Sequence, residues 1–300
     1  MSGPERSPGV RGITLDAGGL ALSGLLGAPA RGAPPRATVL ALHGGGMSAA
    51  YFDGQAHPGQ SLFAVGMRLG FQVLAVDRPG YGASAARLPR GQTLAGQART
   101  LRAALARFAA GHEVGAGVFV LAHSYGGKLA LTCAAGAGLP AGLLGLDISG
   151  CGHRFAVPAD RLPSAAGHGH WRHNWGALRL YPPDTFRTCA DMVTTMPELE
   201  RSEAARWPAS FARLAGRVRV PTRLTFAEHE AWWRHDEEAL AELRAGLGSV
   251  EHLVVDRQPE AGHNISLGWS ARTYHLRALA FFEECLARRE AAPARRQAAA

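Results

Sequence analysis

The sequence predicts an α/β protein, a mostly parallel sheet with helices on both faces and a helical cap inserted into it. Three observations carry this expectation. Short aliphatic runs alternate with stretches of helical spacing, as in βα units whose crossovers cover both sides of a parallel sheet. Several of these runs end in glycines, where the chain has to turn at once. One long stretch, residues 153–216, breaks the alternation with Pro158, Pro163, Pro182, Pro183, Pro197 and Pro208 and many polar residues.

In chain order, "GITLDAGGLALSGLLG" reads as a β-hairpin turning at Ala17–Gly19, because Thr14, Asp16 and Ser23 alternate with apolar neighbours. A rival reading takes "LALSGLLGAPARGA" (20–33), preceded by arginines, as a secretory signal. "ATVLALHGGG" (37–46) is a strand ending in glycines, and a polar loop then leads to a helix at 61–69. "FQVLAVDRPGYG" (71–82) is a strand and turn, 92–110 is a helix, and "VFVLAHSYGGKLAL" (118–131) passes from strand to helix. "LLGLDISG" (143–150), "RVPTRLTFAEHE" (219–230) and "VEHLVVD" (250–256) are further strands, with a helix at 236–247 and a last one over about 270–289. Helical candidates in the cap lie near 185–195 and 198–215. The core then spans 10–152 and 217–290, the cap 153–216, and 291–300 is a frayed tail.

The strand-to-helix reversal is where chemistry enters. Small neighbours Ala122, Gly126 and Gly127 leave Ser124 at the apex of a small-x-Ser-x-Gly turn, which aims a hydroxyl into a cleft. A serine is a weak nucleophile until a base takes its proton and an acid orients that base. His263, seven residues after the last strand, is the candidate base. Glu228 and Glu230 end the preceding strand, Glu230 being the better placed, and Asp147 at the end of "LLGLDIS" is the rival acid. Acyl transfer also needs donors for developing negative charge. The amide of Tyr125 with that of Gly45 would form an oxyanion hole, Gly46 being the substitute. His43, at a buried strand end, reads as structural.

With these residues the chain resembles the α/β-hydrolase fold superfamily, as a capped serine hydrolase of esterase or thioesterase type. The resemblance covers roughly residues 10–290 and rests on "LHGGG", "DRPGYG", "AHSYGG", "AEHE" and "AGHNISL". Ala122 stands where the family often has glycine, and Glu230 where aspartate is commoner. Epoxide hydrolases and dehalogenases of this fold carry aspartate at the nucleophile position, so Ser124 argues against both. The expected reaction is ester or thioester cleavage through Ser124, His263 and Glu230. The alternatives are acyl transfer, cyclisation or elimination with the same residues, and a non-catalytic ligand-binding protein.

All six tryptophans lie between 171 and 269. Trp171 and Trp175 in the cap and Trp233 beside the acid are the candidate substrate-binding rings for an apolar or cyclic acyl group, with Trp207, Trp232 and Trp269 nearby in sequence. His168, His170 and His173 cluster in "HGHWRHNW", but no cysteine or acid stands beside them at ligand spacing, so no metal and no cofactor is expected.

Composition bounds the partners. An apolar share of 47% with 19% charged residues is that of a soluble globular chain. The net charge of +8 is concentrated at the ends: residues 1–36 carry four arginines against Glu5 and Asp16, and residues 286–300 four against Glu290. The body is nearly balanced, which argues against nucleic acid. No apolar run approaches the ~20 residues of a membrane span. Cys133, Cys151, Cys189 and Cys285 show no paired spacing, and reduced thiols in a cytoplasmic protein are the expectation. The partner expected is a small acyl substrate; sequence is silent on oligomeric state.

Overall fold

The computed structural model describes residues 6–30, 33–163 and 171–298, with side chains through residue 291. Eight strands form one sheet: β1 (Val10–Asp16), β2 (Ala21–Gly27), β3 (Thr38–Leu42), β4 (Gln72–Val76), β5 (Val118–His123), β6 (Leu143–Ser149), β7 (Thr222–His229) and β8 (Leu253–Gly262). Their spatial order is β1-β2-β4-β3-β5-β6-β7-β8. The hairpin β1–β2 is antiparallel and joins β4 antiparallel, while β3 to β8 are parallel. Residues 21–27 thus form a strand paired on both sides, as the hairpin reading expects.

The central strands are apolar at every position because both faces are covered. Successive residues point to opposite sides: Leu40 and Leu42 enter one core, Val39 and Ala41 the other. The first core is closed by α2 (Leu94–Gly111), α3 (Tyr125–Ala135) and α8 (Glu237–Gly246), through side chains such as Leu101, Leu129 and Leu243. The second is closed by α1 (Leu62–Arg68) and α9 (Ala271–Ala298), with Phe63, Tyr274 and Phe282. Ser61, Thr93 and Asp236 each accept a hydrogen bond from a first-turn amide, which starts α1, α2 and α8 where the sequence places them.

The insertion between β6 and β7 holds α4 (Trp171–Trp175), α5 (Thr185–Thr188), α6 (Glu198–Ala204) and α7 (Trp207–Leu214). Two helices were expected there. The stretch 185–195 yields a single α-turn at α5, and 198–215 divides in two before α7, which carries Pro208 in its first turn, where a proline fits. Two other expectations are corrected. β8 starts at Leu253 rather than 250 and continues past 256 to Gly262 despite Pro259; an edge strand tolerates a proline because its outer amides need no partner. The last helix does not stop near 289: α9 runs to Ala298, through alanines and arginines that favour helix. Among the described residues no helix is long and apolar enough to cross a membrane. The four cysteines are buried, unpaired thiols.

Candidate active site

The elbow is built by close packing. Ser124 takes φ 52°, ψ −115°, a backbone conformation that side chains seldom adopt, between the last residue of β5 and the first of α3. Gly126 makes this possible: a Cβ there would lie 2.2 Å from the carbonyl oxygen of Leu42, so any side chain would force the elbow off the end of β3. The methyl of Ala122 is buried in the first core without strain on the turn, which is why a glycine is not needed there.

His263 follows the end of β8, and its ring lies against Gly150, where a Cβ would come within 2.8 Å of the imidazole Cε1. Its Nε2 is 3.1 Å from Ser124 Oγ. Its Nδ1 lies 3.0 and 2.9 Å from the two carboxylate oxygens of Glu230. Glu230 is held in turn by the Trp232 amide, which donates to Oε1 at 2.9 Å. The side chains of His263 and Glu230 are 4% and 0% exposed, so water competes little for this pair. A carboxylate on Nδ1 keeps the proton there and leaves the Nε2 lone pair for the serine hydroxyl.

The rival acid is engaged elsewhere. Asp147 forms a buried ion pair with Arg223 and accepts from Tyr274 Oη at 2.8 Å. Burial pushes its carboxyl up from the usual range, against the pull of Arg223. Glu228 points to the protein edge, accepting from the Glu260 amide at 2.9 Å. His43 is locked: its Nε2 accepts the Arg78 amide at 3.0 Å, and its Nδ1 sits 2.8 Å from the Gly44 carbonyl. Burial, then Arg78, holds its pKa well below the ordinary imidazole range.

Tyr125 and Gly45 line a cavity together with Ser124. Tyr125 opens α3, so its N–H has no partner within the helix. Gly45 lines the same cavity, whereas the Gly46 amide is already engaged with Tyr81 Oη at 3.1 Å. The cavity measures about 550 Å³. Its wall includes Trp171, Trp175, Trp232 and Trp233, together with Met196 and Phe155. Trp207 instead packs below, donating to the Gly152 carbonyl at 2.7 Å, and Trp269 is half exposed away from the wall. The structure thus brings Ser124, Glu230, His263, Gly45, Tyr125, Trp171, Trp175 and Trp233 to one place.

The sequence matches the alpha/beta hydrolase family over residues 39–284, which is most of the chain. This chain belongs to the alpha/beta hydrolase family. No curated protein sequence matches it closely enough to be reported. Solved structures share the fold at low identity. A highly thermostable carboxyl esterase from Bacillus coagulans has a TM-score of 0.64 at 18% identity, covering 93% of this chain and 100% of its own. The enol-lactonase from Burkholderia xenovorans has 0.64 at 16%, covering 90% and 100%. A thioesterase domain from the curacin biosynthetic pathway has 0.62 at 14%, covering 89% and 98%.

In this alpha/beta hydrolase the residues that sequence reasoning missed lie behind the site. Arg78 and Glu200 form an ion pair with both side chains 0% exposed. Arg78 also donates to the carbonyls of His43 at 2.8 Å and Gly44 at 3.1 Å, bracing the loop that carries Gly45. Glu200 further accepts from Tyr81 Oη at 2.7 Å and Gln97 Nε2 at 2.8 Å. The motif "DRPGYG" was the available signal for Arg78 and Tyr81; nothing local marked Glu200. Lys128, which lines the cavity, was read only as part of the helix after the elbow. Of the histidine cluster, His168 and His170 lie outside the described residues, and His173 packs beside Trp232, ring centroids 4.9 Å apart. Among the described residues Glu228, His229 and Glu260 could bring three ligand atoms together, on an open edge.

Proposed function

We propose that this hydrolase cleaves an ester or thioester of an apolar or cyclic acyl substrate through Ser124, His263 and Glu230. The observation that carries the reading is the continuous contact from Ser124 Oγ through the His263 ring to Glu230, opening onto an aromatic cavity. Ser124 Oγ attacks the carbonyl carbon while its proton passes to His263 Nε2, and Glu230 stabilises the imidazolium formed. The amides of Gly45 and Tyr125 hold the oxyanion, a contribution of about 3 kcal/mol for each well-placed donor. His263 then gives its proton to the leaving alcohol or thiol. Water, deprotonated by His263, attacks the acyl carbon; the C–Oγ bond breaks, the proton returns from His263 to Ser124 Oγ, and the acid is released. No step calls for a cofactor.

The insertion acts as the cap, contributing Trp171 and Trp175 to the cavity wall, while the loop after β7 contributes Trp233. A panel of p-nitrophenyl esters and acyl thioesters of increasing acyl length tests the reading. Turnover that rises with acyl size and then falls as the cavity fills is expected. Absence of turnover across both panels would sink it.

A further inference from the structure

Of the 32 lysines and arginines in the chain, Lys128 alone is a lysine. It stands one helical turn after Ser124 and lines the same cavity. Among the described residues it is the one wall side chain that carries a full charge, in a lining of apolar and aromatic residues with the neutral polar Ser124, Asn174, Thr194 and Thr195. The residue is 6% exposed. Its ammonium sits among four rings, 5.3 Å from the centroid of Tyr125, 5.4 Å from Trp233, 5.5 Å from Phe155 and 5.6 Å from Trp207.

Aromatic faces attract a cation, but they do not replace the hydrogen bonds that water gives its three N–H donors. Among the described residues, no hydrogen-bond acceptor or carboxylate contacts this ammonium. Its donors open onto the cavity, where an entering anion can take the place of water. Lysine suits that task because it offers a compact point charge on a flexible stem, where arginine offers a planar fork. Trp171, 53% exposed, marks the open side of the cavity, and Lys128 lies at its buried side. In an acyl-enzyme the acyl group is the part that stays joined to Ser124, one helical turn from Lys128 on the same cavity wall, while the leaving group departs.

Resting on the ester-hydrolase reading, we propose that Lys128 is a specificity-determining residue that binds a carboxylate carried by the acyl group, so that the favoured substrates are esters or thioesters of dicarboxylic acids. Burial pushes the Lys128 ammonium down to about 8, with Cys151, Glu200 and Glu203 opposing that shift and Arg78 adding to it. Those groups and the Tyr125 hydroxyl are the titratable and charged neighbours of the site. The ammonium therefore keeps its proton at neutral pH and loses it as pH rises through the range just above.

The test uses the full-length Ser124→Ala protein, which binds without turnover, and ligand pairs of equal length: the monomethyl esters of succinate, glutarate and adipate against their dimethyl esters. By calorimetry at pH 7, one monoanion binds at least tenfold more tightly than its neutral partner, and Lys128→Met in the same background abolishes the difference. Equal affinity within every pair, no measurable binding of any monoanion, or a preference that survives Lys128→Met overturns the proposal. A second measurement needs no change at Lys128. Between pH 7 and 10 the preference fades, since the carboxylate stays ionised while the ammonium does not; a constant preference also overturns it. Failure of the hydrolase reading registers separately. A protein that turns over no ester yet prefers the monoanion loses that reading and keeps the anion subsite.

Discussion

At the scale of single residues the proposed mechanism depends on one proton path. Ser124→Ala removes the nucleophile while keeping a small residue at the strained turn. Turnover of a p-nitrophenyl ester is expected to fall about 10⁴-fold, with an unchanged far-ultraviolet spectrum; a residual rate above a tenth of the starting one would refute a covalent serine step. Glu230→Gln keeps the shape of the acid, but its amide can hold the wrong imidazole tautomer, so kcat should drop roughly 10³- to 10⁴-fold. Asp147→Asn should leave kcat within about tenfold and instead lower stability, because it weakens the buried pair with Arg223. Normal turnover of Glu230→Gln would move the orienting role away from Glu230. Ser124, His263 and Gly45 were legible in the sequence because local motif and chain order constrain them together. The choice of Glu230 over Asp147 was legible only as a preference, from chain order and position at the strand end. It turns on Arg223 and Tyr274, whose contacts with Asp147 join β6 to β7 and α9 and leave no local trace.

At the scale of elements, α6 fastens the insertion to the body. Its sequence "ELERSEA" reads as a solvated charged helix, yet Glu200 is fully buried against Arg78, and Glu203 accepts from the Leu94 amide at 2.8 Å and from Tyr125 Oη at 3.1 Å. Removing one partner of a buried pair strands the other charge, so Glu200→Ala should cost about 3 kcal/mol and lower Tm by roughly 6 °C or more. Because Arg78 also braces the loop before Gly45, kcat should fall with it, by about tenfold. Glu198→Ala, whose carboxylate pairs with Arg90 at the exposed surface, is the control and should move Tm little. Equal melting of the two variants would show that the Arg78–Glu200 pair does not anchor the insertion. The elbow, by contrast, was readable because its requirement is local: a glycine is needed where a carbonyl lies 2.2 Å from a Cβ position.

At the scale of the whole molecule, the parallel sheet with two covered faces was legible because fully buried strands have to be apolar throughout. The edge was less so, since Pro259 and Glu260 resemble a strand end although β8 carries on to deliver His263. The chain terminus shows the same limit. Helix propensity extends α9 to Ala298, but the last of its described side chains in the core is Leu286. Deleting residues 291–300 should therefore leave Tm within about 2 °C, as for surface changes generally. A larger fall would show that the end of α9 docks on the body.

All three scales converge on one claim, that His263 and Glu230 make Ser124 a nucleophile. Intact-protein mass spectrometry after brief exposure to a fluorophosphonate measures this most directly. A single phosphonyl adduct mapping to Ser124 is expected, absent from Ser124→Ala and formed at least 100-fold more slowly in Glu230→Gln. An unlabelled protein, an adduct on another residue, or equal labelling rates in the unaltered protein and Glu230→Gln would contradict the account.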